Sequence, residues 1–371
     1  MIMRLLYPLS SLAFIASCGS ASPAPSTPSP NNTAPAPLDG VAQVCGGAVT
    51  SVSTGWSHTC ALCGSGEVAC WGTNFLGNLG EPLPTERAEP AKIPELSGVA
   101  AVSAGSYHTC GRLASGQVMC WGANHEGQLG DDTTATRVRP VVVKDLADVE
   151  QIDVGFGPGH ACAVVKGGQV RCWGVNFNSQ LGDGTMTNHA VPVTVPGLAD
   201  AVQVSTGAYH TCALAKAGTV SCWGGKHGKK QRLAKVTQVT GITDATQIAA
   251  GGEHSCALRK TGTVACWGMN GMGQLGNGTW DDSETPVEVS GLADVIAIDA
   301  SSNHTCAITR AGSITCWGGN EHGQLGDGTT NARNAPVAVG GVAGVAKLSI
   351  GHRTSCAQRT TGEVICWGER S

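Results

Sequence analysis

One motif recurs seven times along this chain of 371 residues. In its fullest form it reads His-Thr-Cys-Ala-Leu, a short turn, and then Val-x-Cys-Trp-Gly. A period of 44 to 52 residues separates the tryptophans of successive copies, which are Trp71, Trp121, Trp173, Trp223, Trp267, Trp317 and Trp367. Such a period predicts that each copy is one supersecondary unit that buries its apolar face against its neighbours. Function is then expected in the residues that differ between copies.

The N-terminal segment is expected to lie outside the repeats. Arg4 precedes an apolar run that is too short to span a membrane, and residues 1–17 are therefore interpreted as a signal peptide. The run ends Ile15-Ala-Ser-Cys18, which resembles a bacterial lipobox, so Cys18 is predicted to carry a lipid. Gly19 after it favours the outer membrane, if the organism has one. The alternative is an ordinary secretory signal with a chance cysteine.

Composition divides the rest of the chain. Residues 18–37 are rich in Ser, Pro and Ala and predict a semi-extended tether, and residues 38–371 form the globular part. The net charge is −4 and only 13% of the residues are charged, which excludes a basic nucleic-acid-binding surface. The expected location is the cell envelope, with attachment to the membrane through the lipid on Cys18, and the protein is expected to be a monomer.

Fourteen of the 17 cysteines form seven pairs with nine residues between the members of each pair. In a hairpin centred on the intervening glycine the two cysteines lie opposite each other, within reach of a disulfide. The predicted pairs are Cys60 with Cys70, Cys110 with Cys120, Cys162 with Cys172, Cys212 with Cys222, Cys256 with Cys266, Cys306 with Cys316 and Cys356 with Cys366. Cys45 and Cys63 remain beside Cys18, and an even remainder in an exported chain predicts that they pair.

The rival interpretation of the cysteines is a set of seven metal sites, because a His precedes the first Cys of most pairs by two residues. The spacing is not that of a zinc knuckle, and an exported chain favours oxidised thiols. Neither a metal nor a cofactor is therefore predicted.

Each repeat contains four short strand patterns with turn signals between them and no helical period. In the second repeat these patterns, named A to D, begin at Val99, His108, Gln117 and Pro140. Seven four-stranded antiparallel units of about 50 residues predict an all-β fold, a seven-bladed β-propeller.

The repeats resemble those of the regulator of chromosome condensation family. The pattern is Ala-Gly-x-x-His-x-x-Ala-Leu, then Gly-x-Val-x-x-Trp-Gly-x-Asn-x-x-Gly-Gln-Leu-Gly, and it covers residues 49 to 368. The resemblance implies a seven-bladed propeller. The chain departs from the pattern in the fourth repeat, where residues 225–232 are rich in Lys, and in the seventh, which has Thr354 in place of His and no fourth strand. The segment from Pro37 to Val44 is predicted to supply that strand and to close the ring.

Residues that recur in every blade are interpreted as structural. The six repeat histidines are expected to bond the backbone of an adjacent loop, and the Trp-Gly pairs to pack between blades. They are His58, His108, His160, His210, His254 and His304. No catalytic triad, phosphate-binding loop or pair of acids stands outside the repeat, which favours a protein that is not an enzyme.

The aromatic residues that do not recur predict a binding surface. They lie between strands A and B or between strands C and D, and both connections emerge on one face of the disc: Trp56, Phe75, Tyr107, Phe156, Phe177, Tyr209 and Trp280. Blades five to seven contribute Glu253, Asn303 and Arg353 instead. Aromatic groups on a rigid surface are typical of protein recognition. The alternative is that these rings pack locally within longer loops.

The predicted function is a non-catalytic envelope lipoprotein that binds a protein partner. The family resemblance also implies guanine-nucleotide exchange, the eukaryotic role, and a glycan-binding or hydrolase module of the cell surface is a third possibility. The cluster of Lys226, Lys229, Lys230, Arg232 and Lys235 is interpreted as a solvated loop, with an anionic partner as the alternative.

Overall fold

The structure is a computed structural model and describes residues 33–82, 86–225 and 233–369. Within these ranges the chain forms seven antiparallel sheets of four strands, arranged as the blades of a β-propeller. The predicted fold class is confirmed. In each blade the strands follow the order A, B, C, D from the axis to the rim, and the contacts between the A strands of neighbouring blades close the ring.

The strands are numbered in chain order. The A strands are β2 Val49–Thr54, β6 Val99–Ala104, β10 Val149–Val154, β14 Ala201–Thr206, β18 Ala245–Ala250, β22 Val295–Ser301 and β26 Val345–Ile350. The B strands are β3 His58–Cys63, β7 His108–Leu113, β11 His160–Val165, β15 His210–Ala215, β19 His254–Arg259, β23 His304–Thr309 and β27 Thr354–Arg359. The C strands are β4 Val68–Thr73, β8 Val118–Gly122, β12 Gln169–Gly174, β16 Val220–Gly224, β20 Val264–Gly268, β24 Ile314–Gly318 and β28 Val364–Gly368. The D strands are β5 Glu86–Lys92, β9 Arg137–Val142, β13 His189–Thr194, β17 Leu233–Gln238, β21 Ser283–Glu288, β25 Arg333–Ala338 and, for the seventh blade, β1 Thr33–Pro37.

The core lies between the blades. The B and C strands are buried on both faces because each blade is covered by its two neighbours, whereas the D strands at the rim are largely exposed. This explains why the repeat motif is apolar without alternation. Each junction packs the repeat tryptophan of one blade against the cysteine pair of the preceding blade, as Trp317 does against Cys256 and Cys266.

The ring is closed by the N-terminal strand, but not by the segment predicted. β1 pairs with β28, with Ala36 opposite Cys366, and so takes the position of a D strand. Ala36 corresponds to Val337 of blade six, which lies opposite Cys316. The predicted segment, Pro37 to Val44, was placed two residues too late. Most of it forms the helix α1, Asp39–Cys45, whose Val41 is fully buried in the last junction. The closing strand therefore uses the last five residues of the segment expected to be a tether.

The predicted disulfides are confirmed in all eight cases. Seven of them join strands B and C at one register position, with Cα atoms 4.1 Å apart in each blade. These seven bridges join Cys60 and Cys70, Cys110 and Cys120, Cys162 and Cys172, Cys212 and Cys222, Cys256 and Cys266, Cys306 and Cys316, and Cys356 and Cys366. Each blade is therefore cross-linked within itself, and no bridge of this set joins two blades.

The eighth bridge has a different role. Cys45 at the end of α1 joins Cys63 at the end of β3, with Cα atoms 5.1 Å apart. It thus ties the helix of the closing segment to the first blade.

The remaining N-terminal predictions fall on residues that the structure does not describe. The signal peptide and Cys18 lie before Thr33. In the described part of the chain, no helix has both the length and the apolar character needed to cross a membrane.

Candidate functional site

The A–B and C–D connections emerge together on one side of the disc, as the strand order requires. We call this side the aromatic face and define it by the seven unrepeated rings, Trp56, Phe75, Tyr107, Phe156, Phe177, Tyr209 and Trp280. Because every blade is held by its neighbours and by a disulfide, these loops are presented by a rigid scaffold. Binding residues are commonly found in such loops.

Five of the seven rings are exposed. The exposed fractions are 71% for Phe75, 38% for Tyr107, 51% for Phe177, 36% for Tyr209 and 49% for Trp280. Phe75 and Tyr107 come from adjacent blades and approach each other, with ring centroids 6.3 Å apart and planes tilted by 47°. The structure thus brings two predicted residues into one apolar surface at the junction of blades one and two.

Phe156 does not belong to the exposed set. It is 8% exposed and lines the mouth of the central channel, so its ring packs locally. The sequence places it directly after Gly155, whereas Tyr107 and Tyr209 directly precede the repeat histidine. Phe156, directly after the glycine, thus points towards the axis, whereas Tyr107 and Tyr209, directly before the histidine, point towards solvent.

Trp56 occupies the same inner position as Phe156 and is half-buried. Its ring stacks on His352 of the seventh blade, with centroids 3.7 Å apart and planes within 10°. Burial and the adjacent Arg353 lower the pKa of His352 to about 4, so the imidazole is neutral at physiological pH. Trp56 therefore helps to join the first and last blades, and sequence reasoning missed His352 because it does not align with the repeat histidines.

The polar residues predicted for the opposite half have different surroundings. Asn303 is exposed and lines a pocket of about 430 Å³ with Trp280, Met272 and His352. Arg353 donates to the carboxylate of Glu369 at 3.2 Å. Glu253 is half-buried, and its backbone carbonyl accepts a hydrogen bond from Met269.

Two methionines also belong to the exposed apolar surface, and the sequence analysis missed them. Met186 is 49% exposed and Met272 38%, both in C–D loops. They could have been found by the same criterion as the rings, because neither recurs at its position in the other repeats. Flexible thioethers beside aromatic rings suit an adaptable protein-binding surface.

The repeat histidines join neighbouring blades and are not free for catalysis. His58 Nε2 lies 2.7 Å from Thr109 Oγ1, which donates to the carbonyl of Asn78 at 3.2 Å. Trp121 Nε1 donates to the same carbonyl at 3.0 Å. Because the threonine proton goes to the carbonyl, the histidine must be the donor.

Five of the six repeat histidines bond a hydroxyl of the next blade, rather than a loop backbone as predicted; His108 does not, because Ala161 stands at the hydroxyl position of blade three. The other pairs are His160 with Thr211, His210 with Ser255, His254 with Thr305 and His304 with Ser355.

The central channel is polar and has a volume of about 340 Å³. In six of the seven A strands, one side chain accepts a hydrogen bond from the backbone N–H of the next A strand, as Ser103 does from Val154 and Asp299 from Ile350; blade five has Ala249 at this position. Burial raises the pKa of Asp153 to about 6, and burial together with the charge of Asp153 raises that of Asp299 to about 7. Both carboxyl groups already accept a hydrogen bond from a backbone N–H of the next A strand, that of Thr206 for Asp153 and that of Ile350 for Asp299. In the described ranges, no three His, Cys, Asp or Glu side chains are grouped so that they could hold a metal ion.

The basic cluster of the fourth blade falls mostly outside the described residues. Lys226, Lys229, Lys230 and Arg232 are not described, and Lys235 is exposed.

Two models of the regulator of chromosome condensation (RCC1) repeat match this propeller. The first covers residues 49–78, 99–128, 151–180, 245–274 and 295–324, and the second covers 65–111, 115–164, 167–214, 261–308 and 311–358. The segments of the second model amount to more than half of the chain. The chain belongs to the RCC1 repeat family.

Solved structures show the same fold at low sequence identity. Human WBSCR16 is 21% identical with a TM-score of 0.75, and the match covers 87% of both chains. Prp20p from Saccharomyces cerevisiae is 22% identical with a TM-score of 0.73, and the match covers 87% of this chain and 82% of that chain. Prp20p is reported with its binding properties to Gsp1p and histones. Yeast RCC1 (Prp20) with bound Kap60 is 21% identical with a TM-score of 0.72, over 87% of this chain and 81% of its own. No curated protein sequence matches this RCC1 repeat chain significantly.

Proposed function

We propose that this protein is a non-catalytic binding module that captures a protein partner on the aromatic face. One observation carries the proposal. Of the eleven large apolar side chains that are exposed in the described residues, seven lie on this face, namely Phe75, Tyr107, Phe177, Met186, Tyr209, Met272 and Trp280. Soluble monomers rarely gather exposed apolar groups on one side unless that side binds something.

The pair of Phe75 and Tyr107 is the expected centre of the interface. Two rigid aromatic rings from different blades present a large apolar area at a low entropic cost of ordering, which is the usual character of binding hot spots. The structures of yeast Prp20p, with its described binding to Gsp1p and histones, support the use of this fold for protein capture.

We place this activity in the cell envelope. Eight disulfides in the described residues favour an oxidising compartment over the cytosol. The lipobox at Cys18 would attach the protein to the membrane. The oxidising location also argues against exchange of guanine nucleotides on a cytosolic GTPase, the activity that the family would otherwise suggest.

A glycan is the second candidate ligand, because one pocket has the chemistry to hold a sugar. Trp280 forms an apolar wall, and the polar groups of Asn303, Thr330 and Asn331 line the same 430 Å³ space. Retention on envelope glycan that is lost in Trp280→Ala but kept in Tyr107→Ala would favour this ligand over a protein.

Photo-cross-linking tests the main proposal. A benzophenone amino acid is placed at Phe75, Tyr107 or Phe177, and in a matched control at Ser115, which is exposed in the B–C hairpin on the opposite side. We expect one and the same envelope protein to be joined to the three face positions and not to position 115. Labelling that is equal on both sides would contradict the proposal.

The captured partner then allows an affinity test. The double variant Phe75→Ala and Tyr107→Ala should weaken binding by about thirtyfold or more, as loss of ~2 kcal/mol implies. Because both rings are exposed, the melting temperature should change little. The control is Phe156→Ala, whose buried ring should lower the melting temperature instead. Unchanged affinity in the double variant would remove the two rings from the interface.

A further inference from the structure

The junction between blades seven and one contains a cleft that the other described junctions fill with a loop. In those junctions the loop Asn-x-x-Gly-Gln-Leu-Gly, or its variant, enters from the preceding blade. Its leucine is fully or almost fully buried with the next repeat tryptophan, as Leu325 is with Trp367. The same position is held by Leu79, Leu129, Leu181 and Leu275.

The hydrogen bonds of this loop are also repeated. The carbonyl of Gln324 accepts from Trp367 Nε1 at 2.9 Å and from Ser355 Oγ at 2.9 Å. The carbonyl of Gln180 accepts in the same way from Trp223 and Thr211. The loop is internally fixed, because Asn320 Oδ1 accepts from the backbone N–H of Leu325 at 2.9 Å.

In the described residues blade seven sends no such loop into the last junction, and its D strand is β1, which comes from the N-terminal part of the chain. Leu38 and Val41 take the places of Val339 and Val342 in the apolar cluster, but no described side chain takes the place of Leu325. A cleft of about 400 Å³ lies there, lined by Leu38, Thr59, Trp71, Glu86, Ala88, Thr354 and Cys366.

The groups that would hold a loop are present in the cleft. Trp71 corresponds to Trp367, and Thr59 to Ser355. Neither the indole N–H of Trp71 nor the hydroxyl of Thr59 has a hydrogen-bond partner among the described residues. Trp71 is 6% exposed, whereas Trp121 and Trp367 are fully buried. The cleft therefore has an apolar slot for one aliphatic side chain and two donors for one carbonyl.

We propose that this cleft binds a loop of a partner protein that inserts a leucine followed by glycine and presents the carbonyl of a preceding Gln or Asn to Trp71 and Thr59. The five equivalent loops of this chain define that chemistry. The chain's own residues 18–32 contain neither Leu nor Gln and do not match it. The cleft lies at the ends of the strands that bear the aromatic face, so a partner held there can reach it, but the proposal does not depend on that partner.

A peptide of residues 319–332 of this chain serves as the probe and is titrated against the full-length protein. We expect a shift of the Trp71 indole N–H resonance in the NMR spectrum, and at least tenfold weaker binding of the same peptide with Leu325→Ala. No shift at Trp71 up to millimolar peptide, or equal binding of the two peptides, overturns the proposal. Binding seen only after residues 1–32 are removed also overturns it, because the chain's own segment would then be the occupant.

Paired variants separate the cleft from an ordinary core position. Trp71→Phe should weaken peptide binding at least fivefold and leave the melting temperature nearly unchanged, because its N–H has no described partner to lose. Trp121→Phe, which removes the bond to Asn78, should lower the melting temperature without affecting the peptide. Equal losses of stability in both variants would show that the Trp71 indole is already bonded within the chain. Concentration-dependent dimers that exclude the peptide would assign the cleft to a second copy.

Discussion

At the scale of single residues, a hydroxyl of the next blade decides whether the Nε2 atom of a repeat histidine has a hydrogen-bond partner. In five blades a hydroxyl forms a hydrogen bond with Nε2 of the repeat histidine of the preceding blade, namely that of Thr109, Thr211, Ser255, Thr305 and Ser355. Blade three has Ala161 at this position, and His108 Nε2 is buried without a partner in the described structure. An unpaired buried donor carries a cost in folding free energy.

Ala161→Ser should therefore stabilise the protein by about 1 kcal/mol, because the new hydroxyl can accept from His108 and donate to the carbonyl of Gln128. Chemical unfolding of the variant and of the parent protein measures the difference. Ala161→Val is the control, since it adds volume without a hydroxyl and should not stabilise. If serine gives no gain over valine, the histidine is satisfied in another way.

Sequence reasoning at this scale worked where residues recur and was less accurate where they do not. The structural role of the histidines followed from their repetition. The sequence analysis assigns all four aromatic residues of the A–B loops to the binding surface without distinguishing two loop positions. Trp56 and Phe156 directly follow a glycine, whereas Tyr107 and Tyr209 directly precede the repeat histidine. One residue of difference in a short loop decides whether a ring faces the axis or solvent, and no period in the sequence records that.

At the scale of elements, the last junction is built differently from the others. It has no repeat histidine, because blade seven has Thr354 at that position. The hydroxyl of Thr354 donates to the backbone carbonyl of Glu369 instead. In exchange, α1 packs into the junction and Cys45 ties it to Cys63. Side-chain bonds cross the junction as well, from Gln358 to Val49 and from Lys347 to Thr50.

Replacing Cys45 and Cys63 together with Ala should lower the free energy of unfolding by about 2–4 kcal/mol. The effect should also be local, so that amide hydrogen exchange accelerates in α1, β1 and β28 before the other blades respond. The control replaces Cys212 and Cys222, whose loss should loosen only the hairpin of blade four. Uniform acceleration around the ring in the first variant would contradict a local role for the eighth bridge.

The elements of the repeats could be predicted because strand length, turn signals and cysteine spacing agree in every copy. The predicted closing segment begins two residues late because Pro37 resembles the proline that opens other D strands, such as Pro286, whereas the pairing of Ala36 opposite Cys366 makes Pro35 the counterpart of that proline. The helix was missed because seven residues carry too little periodicity to distinguish it from a strand.

At the scale of the whole molecule, buried histidines set the response to acid. Burial lowers the pKa of His58, His160, His254 and His304 to about 3, and it is the main cause that lowers the pKa of His108 and His352 to about 4. Between these values and the ordinary 6.5, the unfolded chain binds protons that the native protein does not. Their contribution to stability is therefore present above pH 6.5 and is lost as the pH falls.

The channel carboxyls act in the opposite direction. Asp153 and Asp299 retain protons in the native state up to about pH 6 and about pH 7, whereas the unfolded chain releases them near 3.8. Their contribution is present in acid and is lost as the pH rises through 6 to 7. The six histidines outnumber the two carboxyls, which leaves a net uptake of roughly four protons on unfolding near pH ~5.

The free energy of unfolding should accordingly fall as the pH is lowered from about 6.5 to about 4.5, by up to about 5 kcal/mol per pH unit. Urea unfolding at half-unit steps of pH measures the slope. Asp299→Asn should make the slope near pH ~5 steeper, because it removes a group that opposes the histidines. A protein that becomes more stable on acidification would contradict this assignment.

The direction of β1 bears on how a partner can approach. Thr33 lies opposite Gly368, at the end of the blade that carries the aromatic face. The fifteen residues from Cys18 to Asn32 can reach at most about 50 Å. Under the proposed lipid attachment, the membrane anchor and the binding surface would lie on the same side of the disc, and the aromatic face would be oriented towards the bilayer. The space between the aromatic face and the membrane would then admit small or membrane-bound partners and exclude large ones.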